Sequence, residues 1–84
     1  MSEELVTFFK ALADANRLKI VGLLAQQPYS VEQLAAILDL RPSTISHHLK
    51  ELQLAGLIVC EKEGQALVCS INEELVEEIK HYFD

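Results

Sequence analysis

The chain has 84 residues, half of them apolar, and a formal net charge of −6. Such a length fits one small domain with a compact core, the composition excludes a disordered or collagen-like chain, and no apolar run approaches the roughly 18–20 residues of a membrane span. A negative total argues against indiscriminate nucleic-acid binding by the whole surface, but the acids are uneven: Glu3 and Glu4 lie at the front, and Glu73, Glu74, Glu77, Glu78 and Asp84 at the back. The opening MSEELVTFF has acids where a secretory signal has a basic region, and it lacks a cleavage site, so a cytoplasmic location is expected.

In chain order, EELVTFFKALA (3–13) sets Leu5, Phe8, Phe9 and Leu12 at helical spacing. A second helix begins after the capping residue Asp14, with Leu18, Ile20, Val21 and Leu24 as its apolar positions. QQPY ends it. Ser30 followed by Gln33 is a capping-box signature, which opens a third helix with Val31, Leu34, Ala35 and Leu38 inward. After the short link Asp39-Leu40, Pro42 starts and Gly56 stops a fourth helix over 42–55. LIVCEKEGQALVCSI then changes period and reads as a two-stranded hairpin turning at Glu63-Gly64. Asn72 caps a fifth helix with Leu75, Val76, Ile79, Tyr82 and Phe83 on its apolar side. The expected fold is mainly α, in the order α-α-α-α-β-β-α, as one domain spanning 1–84. Because the chain stops in an apolar helix, it is also compatible with being one domain of a longer protein.

The fourth helix carries the chemistry. RPSTISHHLKEL (41–52) holds no carboxylate before Glu51. At about 100° per residue, Ile45, Leu49 and Leu52 point one way, and Ser43, Ser46, His47 and Lys50 cluster opposite. Hydroxyls near a helix start, a cation behind them and no acid to repel phosphate suit close approach to DNA. A polar exposed face is by itself the ordinary condition of a surface helix. The layout of a short helix, tight link, second helix and hairpin is what makes the case, since it is that of a winged helix-turn-helix, whose second helix enters the major groove.

ALADANRLKIVGLL, LAAILDLRPSTISHHLKELQLAGLI and KEGQALVCSI together resemble the ArsR-type winged-helix repressors, in register from about Phe8 to Ile71. The resemblance implies a dimeric DNA-binding transcriptional regulator, not an enzyme, with recognition helix Pro42 to Ala55 and wing tip Lys62 to Gln65. The DNA-facing residues are then Arg41, Ser43, Thr44, Ser46, His47, Lys50, Lys62 and Gln65. Where metal-sensing members carry a Cys-Val-Cys motif, this chain has Ser30, Val31 and Glu32, and His81 stands alone among C-terminal carboxylates, so no metal and no cofactor is expected. Arg41 replaces a frequent serine cap, and Lys62 lies between Glu61 and Glu63. Both features imply modest, salt-sensitive affinity.

Leu5, Phe8, Phe9, Leu75, Ile79, Tyr82 and Phe83 are more large apolar side chains than one small domain readily covers. A two-fold dimer through the first and last helices would bury them and set two recognition helices about 34 Å apart on a palindromic site. The competing function is a winged-helix protein-interaction module, favoured by the acidic total. His48, nearer the core side than His47, reads as a packed histidine. Arg17 has two readings, phosphate contact or pairing with Asp14. If Lys62 pairs with Gln65 in the hairpin, Ile58, Cys60, Leu67, Cys69 and Ile71 share an inner face, and Cys60 lies diagonal to Cys69 at roughly 7–8 Å. That is long for a disulfide, so both cysteines are expected as small buried side chains rather than as a redox sensor.

Overall fold

A computed structural model describes residues 2–83, less the side chains of Ile79, Tyr82 and Phe83. Its elements are α1 (Glu3–Ala11), α2 (Ala15–Leu24), β1 (Tyr29–Ser30), α3 (Val31–Leu38), α4 (Pro42–Leu54), β2 (Ile58–Glu63), β3 (Ala66–Ile71) and α5 (Glu73–Phe83). This is the winged helix-turn-helix expected, with a third strand added: the sheet is antiparallel in the order β1-β3-β2.

The helices start where side chains replace missing backbone acceptors. Asp14 accepts the amides of Asn16 (2.9 Å) and Arg17 (3.0 Å). Ser30 and Gln33 form the reciprocal capping box, and Ser30 is also the last residue of β1, so the sheet runs into α3 with no intervening loop. Asp39 ends α3 in the left-handed region (φ 54°), and the Leu40 amide reaches back to the Ala35 carbonyl. Asn72 donates to the Gly56 carbonyl (2.8 Å), tying the start of α5 to the end of α4.

The core is built from the inward faces of α2, α3, α4 and the hairpin. Ile20, Leu34, Ile45 and Leu52 are fully buried, as is Cys69. Leu57, on the link into the wing, joins them at 2% exposed. One assignment is corrected here: Leu18 is 56% exposed. It lies two residues from Ile20, about 200° around the helix, while the buried arc of α2 passes through Ile20 and Leu24.

The hairpin register is also corrected. Glu63 pairs with Ala66, so Gly64-Gln65 is the two-residue loop, and Gly64 supplies the positive φ (63°). Relative to pairing Lys62 with Gln65, the strands are displaced by two residues. A displacement of two keeps every side chain on its face, so the shared inner face of Ile58, Cys60, Leu67, Cys69 and Ile71 survives. It nevertheless brings Cys60 directly opposite Cys69, with Cα atoms 4.0 Å apart, and the two are joined by a disulfide. The expectation of two separate thiols fails for that reason.

Candidate nucleic-acid interface

Helix α4 has an uncapped start. Arg41 makes no side-chain bond to it and Pro42 occupies the first turn, so the amides of Ser43 and Thr44 gain no side-chain acceptor there. With the helix dipole, such a start favours an anion. Along the helix the two faces are cleanly divided. Ile45, Leu49 and Leu52 are at most 1% exposed, whereas Ser43, Ser46, His47 and Lys50 are exposed, as is Arg41. Thr44 is half-buried at the boundary. Glu51, the first carboxylate of the segment, is also half-buried.

The adjacent histidines part as their spacing requires. His47 faces solvent and His48 is 9% exposed, with ring centroids 5.9 Å apart. The His48 Nδ1 is buried without a hydrogen-bond partner among the described residues. Across the contact between α2 and α4, Asp14 is held below its ordinary carboxylate range. The chief cause is the Arg17 amide; His48, the Asn16 amide and the Arg17 charge add to it, while desolvation opposes. Of the two readings of Arg17, its backbone amide is what binds Asp14, and its buried Nε has no partner among the described residues.

In the wing, Lys62 and Gln65 are exposed at the tip, but so are Glu61 and Glu63. Strand β2 packs against α4, so the wing and the helix are one mechanical unit. Away from α4, Glu3 and Glu4 on α1 and Glu73, Glu74, Glu77 and Glu78 on α5 are all exposed. Negative charge thus sits on the terminal helices and is withheld from Arg41 to Lys50.

Of the apolar side chains expected at a dimer surface, Phe9 is 43% exposed and meets Phe8 edge to face at 5.3 Å. Leu5 and Leu75 are half-buried, and Phe8 packs partly against the core. Leu5, Phe8, Leu54 and Leu75 line an open groove of about 440 Å³, rimmed by Glu4 and Glu78. The side chains of Ile79, Tyr82 and Phe83 lie outside the described residues. Among the described residues, no group of three or more His, Cys, Asp or Glu side chains is placed to hold a metal ion, and no helix is long and apolar enough to cross a membrane.

Sequence reasoning missed the disulfide. Its signal was present: Cys60 and Cys69 are equidistant from a loop at Gly64-Gln65.

Residues 14–59 match the model of the bacterial regulatory protein arsR family. The cadmium resistance transcriptional regulatory protein CadC of Listeria innocua is 42% identical over 59 residues, covering 69% of this chain and 50% of that protein. The transcriptional repressor SmtB homolog of Synechocystis is 32% identical over 75 residues, covering 89% of this chain and 57% of its own length. The chain therefore spans about half the length of these curated relatives. Among solved structures, the homodimeric winged helix-turn-helix DNA-binding domain Mb0332 from Mycobacterium bovis superposes with a TM-score of 0.84 at 32% identity, over 92% of this chain and 71% of that one.

Proposed function

Because the chain belongs to the arsR family of bacterial regulatory proteins, we propose that it is a sequence-specific regulator, a repressor, that binds palindromic double-stranded DNA as a homodimer in the cytoplasm. Helix α4 enters the major groove with Ser43, Ser46 and His47 toward base edges and phosphates, Thr44 at the margin, and Arg41 and Lys50 on the backbone. Lys62 and Gln65 of the wing contact the flanking strand. The observation that carries this reading is the outer face of α4, fully exposed and free of carboxylates in a chain whose net charge is −6.

The partner copy docks on α1 and α5. Phe9 and the groove beside it supply the apolar surface, and the apolar positions of α5, Ile79, Tyr82 and Phe83 included, extend it. The CadC, SmtB-type and Mb0332 relatives support regulation, and the homodimeric Mb0332 domain supports pairing of this kind. With a single paired surface, the acidic helices face each partner's flank and not the duplex.

Selection of sites from a random duplex pool tests the reading. A two-fold consensus with salt-dependent affinity is expected; absence of enrichment refutes it. The second reading, a protein-interaction module, draws on the exposed Glu61 and Glu63 around Lys62. It predicts no enriched sequence and no loss of function when Lys50 is neutralised.

A further inference from the structure

We infer that Cys60 and Cys69 form a reversible redox couple in the wing, oxidised by a hydroperoxide and reduced by a dithiol, which sets how firmly the wing tip is held for DNA. The effect on DNA rests on the function proposed above; the couple itself does not.

The hairpin brings the two sulfurs together through backbone pairing. Cys60 and Cys69 are direct cross-strand partners with Cα atoms 4.0 Å apart, close to the narrow type of antiparallel pair. Dithiol and disulfide forms therefore share one register, and the bond can open and close without unfolding the sheet. They are also the two cysteines of the whole chain, so no other thiol competes for either partner.

Their position gives the bond leverage. Strand β3 is central: Cys69 pairs with Tyr29 of β1 on one side and Cys60 of β2 on the other. Strand β1 passes at Ser30 into the cap of α3, so Cys69 belongs to the framework that holds the helix-turn-helix. Strand β2 is an edge. Beyond Cys60 its residues Glu61, Lys62 and Glu63, and the loop residues Gly64 and Gln65, are all exposed. The disulfide fastens this exposed tip to the buried centre; without it, the tip depends on three cross-strand pairs, from Glu61 opposite Val68 to Glu63 opposite Ala66.

Access is one-sided. Cys69 is 0% exposed, whereas Cys60 is only half-buried. In the dithiol form, the Cys60 thiolate attacks a hydroperoxide oxygen; the O–O bond breaks, the alkoxide leaves and takes a proton as the alcohol, and Cys60 becomes a sulfenic acid. The Cys69 sulfur then attacks Cys60 Sγ, and the departing hydroxide takes the Cys69 proton to leave as water. Two electrons have passed from the thiols to the peroxide bond. In the reverse direction a dithiol thiolate attacks Cys60 Sγ, expelling Cys69 as a thiolate that takes up a proton. The second thiol of the reductant then closes its own disulfide and releases Cys60.

If the untethered tip spends between about a third and a tenth of its time in the ordered form, affinity for DNA falls about threefold to tenfold on reduction. The full chain is to be treated with tert-butyl hydroperoxide or with dithiothreitol, freed of reagent, and divided between thiol alkylation with mass analysis and titration against a pool-selected duplex. Expected are no alkylatable thiols and tighter binding after peroxide, and two alkylatable thiols and weaker binding after reduction. Cys60→Ser should bind like the reduced native chain and ignore peroxide. The native chain tests the idea without substitution, should that variant fold poorly. Thiols that stay free after peroxide, a bond that resists dithiothreitol under native conditions, or equal affinity in the two states would overturn the inference. If neither state binds DNA, the function is wrong, and hydrogen exchange at the Lys62 to Gln65 amides decides the couple: faster exchange on reduction upholds it, equal exchange refutes it.

Discussion

Lysine 50 offers the sharpest measure of the DNA-facing role of α4. It is exposed beside Ser46 and His47, and no salt bridge neutralises it among the described residues. A lysine on a phosphate displaces condensed counterions, and each such contact contributes about 0.9 to the slope of log affinity against log salt. Over a rise from about 50 to about 200 mM salt, one contact accounts for a factor of about 3.5 in affinity. Lys50→Ala should therefore bind more weakly than the native chain at low salt, and this deficit should shrink about 3.5-fold across that range. In a homodimer two contacts are lost per duplex, and the slope change per site doubles to about 1.8. Because the contact is to the backbone, the loss should be uniform across duplex sequences. Fluorescence anisotropy at four or five salt concentrations reads both quantities. Lys80→Ala is the control: its Nζ lies 3.4 Å from Glu77 on α5, on the acidic side of the molecule. An unchanged slope for Lys50→Ala, or an equal change for Lys80→Ala, would show that phosphate is not what Lys50 meets.

Three further outcomes bear on the scaffold. Leu49→Ala, at a position 1% exposed, should cost about 2–5 kcal/mol in urea unfolding, while Ser46→Ala on the opposite face should change stability little. Gly64→Ala meets no atom within 4 Å, but φ is +63° there, so the penalty should come from backbone alone, about 1–2 kcal/mol by the same measurement; no penalty would argue for a different loop. Asp14 has a folded pKa below its ordinary value of 3.8, so the folded chain binds this proton less tightly than the unfolded one. Its ionised form contributes stability fully above 3.8, and the contribution drains away as pH falls through the lower folded value. Asp14→Asn keeps a capping oxygen and removes the titration, so the stability gap between native and variant should narrow below pH 3.8; a gap that widens with acid would reverse the sign.

Much of this architecture was legible because several local signals coincide. Ser30 with Gln33, Pro42, Gly56 and Asn72 mark element ends by their own hydrogen-bonding or torsional chemistry, and each does so in the structure. The division of α4 followed from spacing alone. What escaped was set by tertiary partners. Strand β1 is two residues long, too short to show a period, and it exists because Tyr29 and Ser30 find Cys69 and Val68 on a distant strand. The hairpin register was open because Gly64 serves a loop at either Glu63-Gly64 or Gly64-Gln65, and the facing pattern is the same for both. Leu18 was placed inward on a loose count of apolar positions, although the arc through Ile20 and Leu24 excludes it. Arg17 was ambiguous because its backbone, not its charge, does the binding to Asp14.

The connection between α3 and α4 has a practical consequence. Asp39 and Leu40 make the bend with one left-handed residue and a backbone bond to Ala35, and the orientation of α4 is then locked by Ile45, Leu49 and Leu52 from beneath. None of these groups faces outward. An engineer wishing to redirect the protein to another address in a genome can rewrite Ser43, Ser46, His47 and Lys50 as letters on a fixed page, leaving the hinge and the underside untouched, whereas lengthening the bend by even one residue would retilt the page itself.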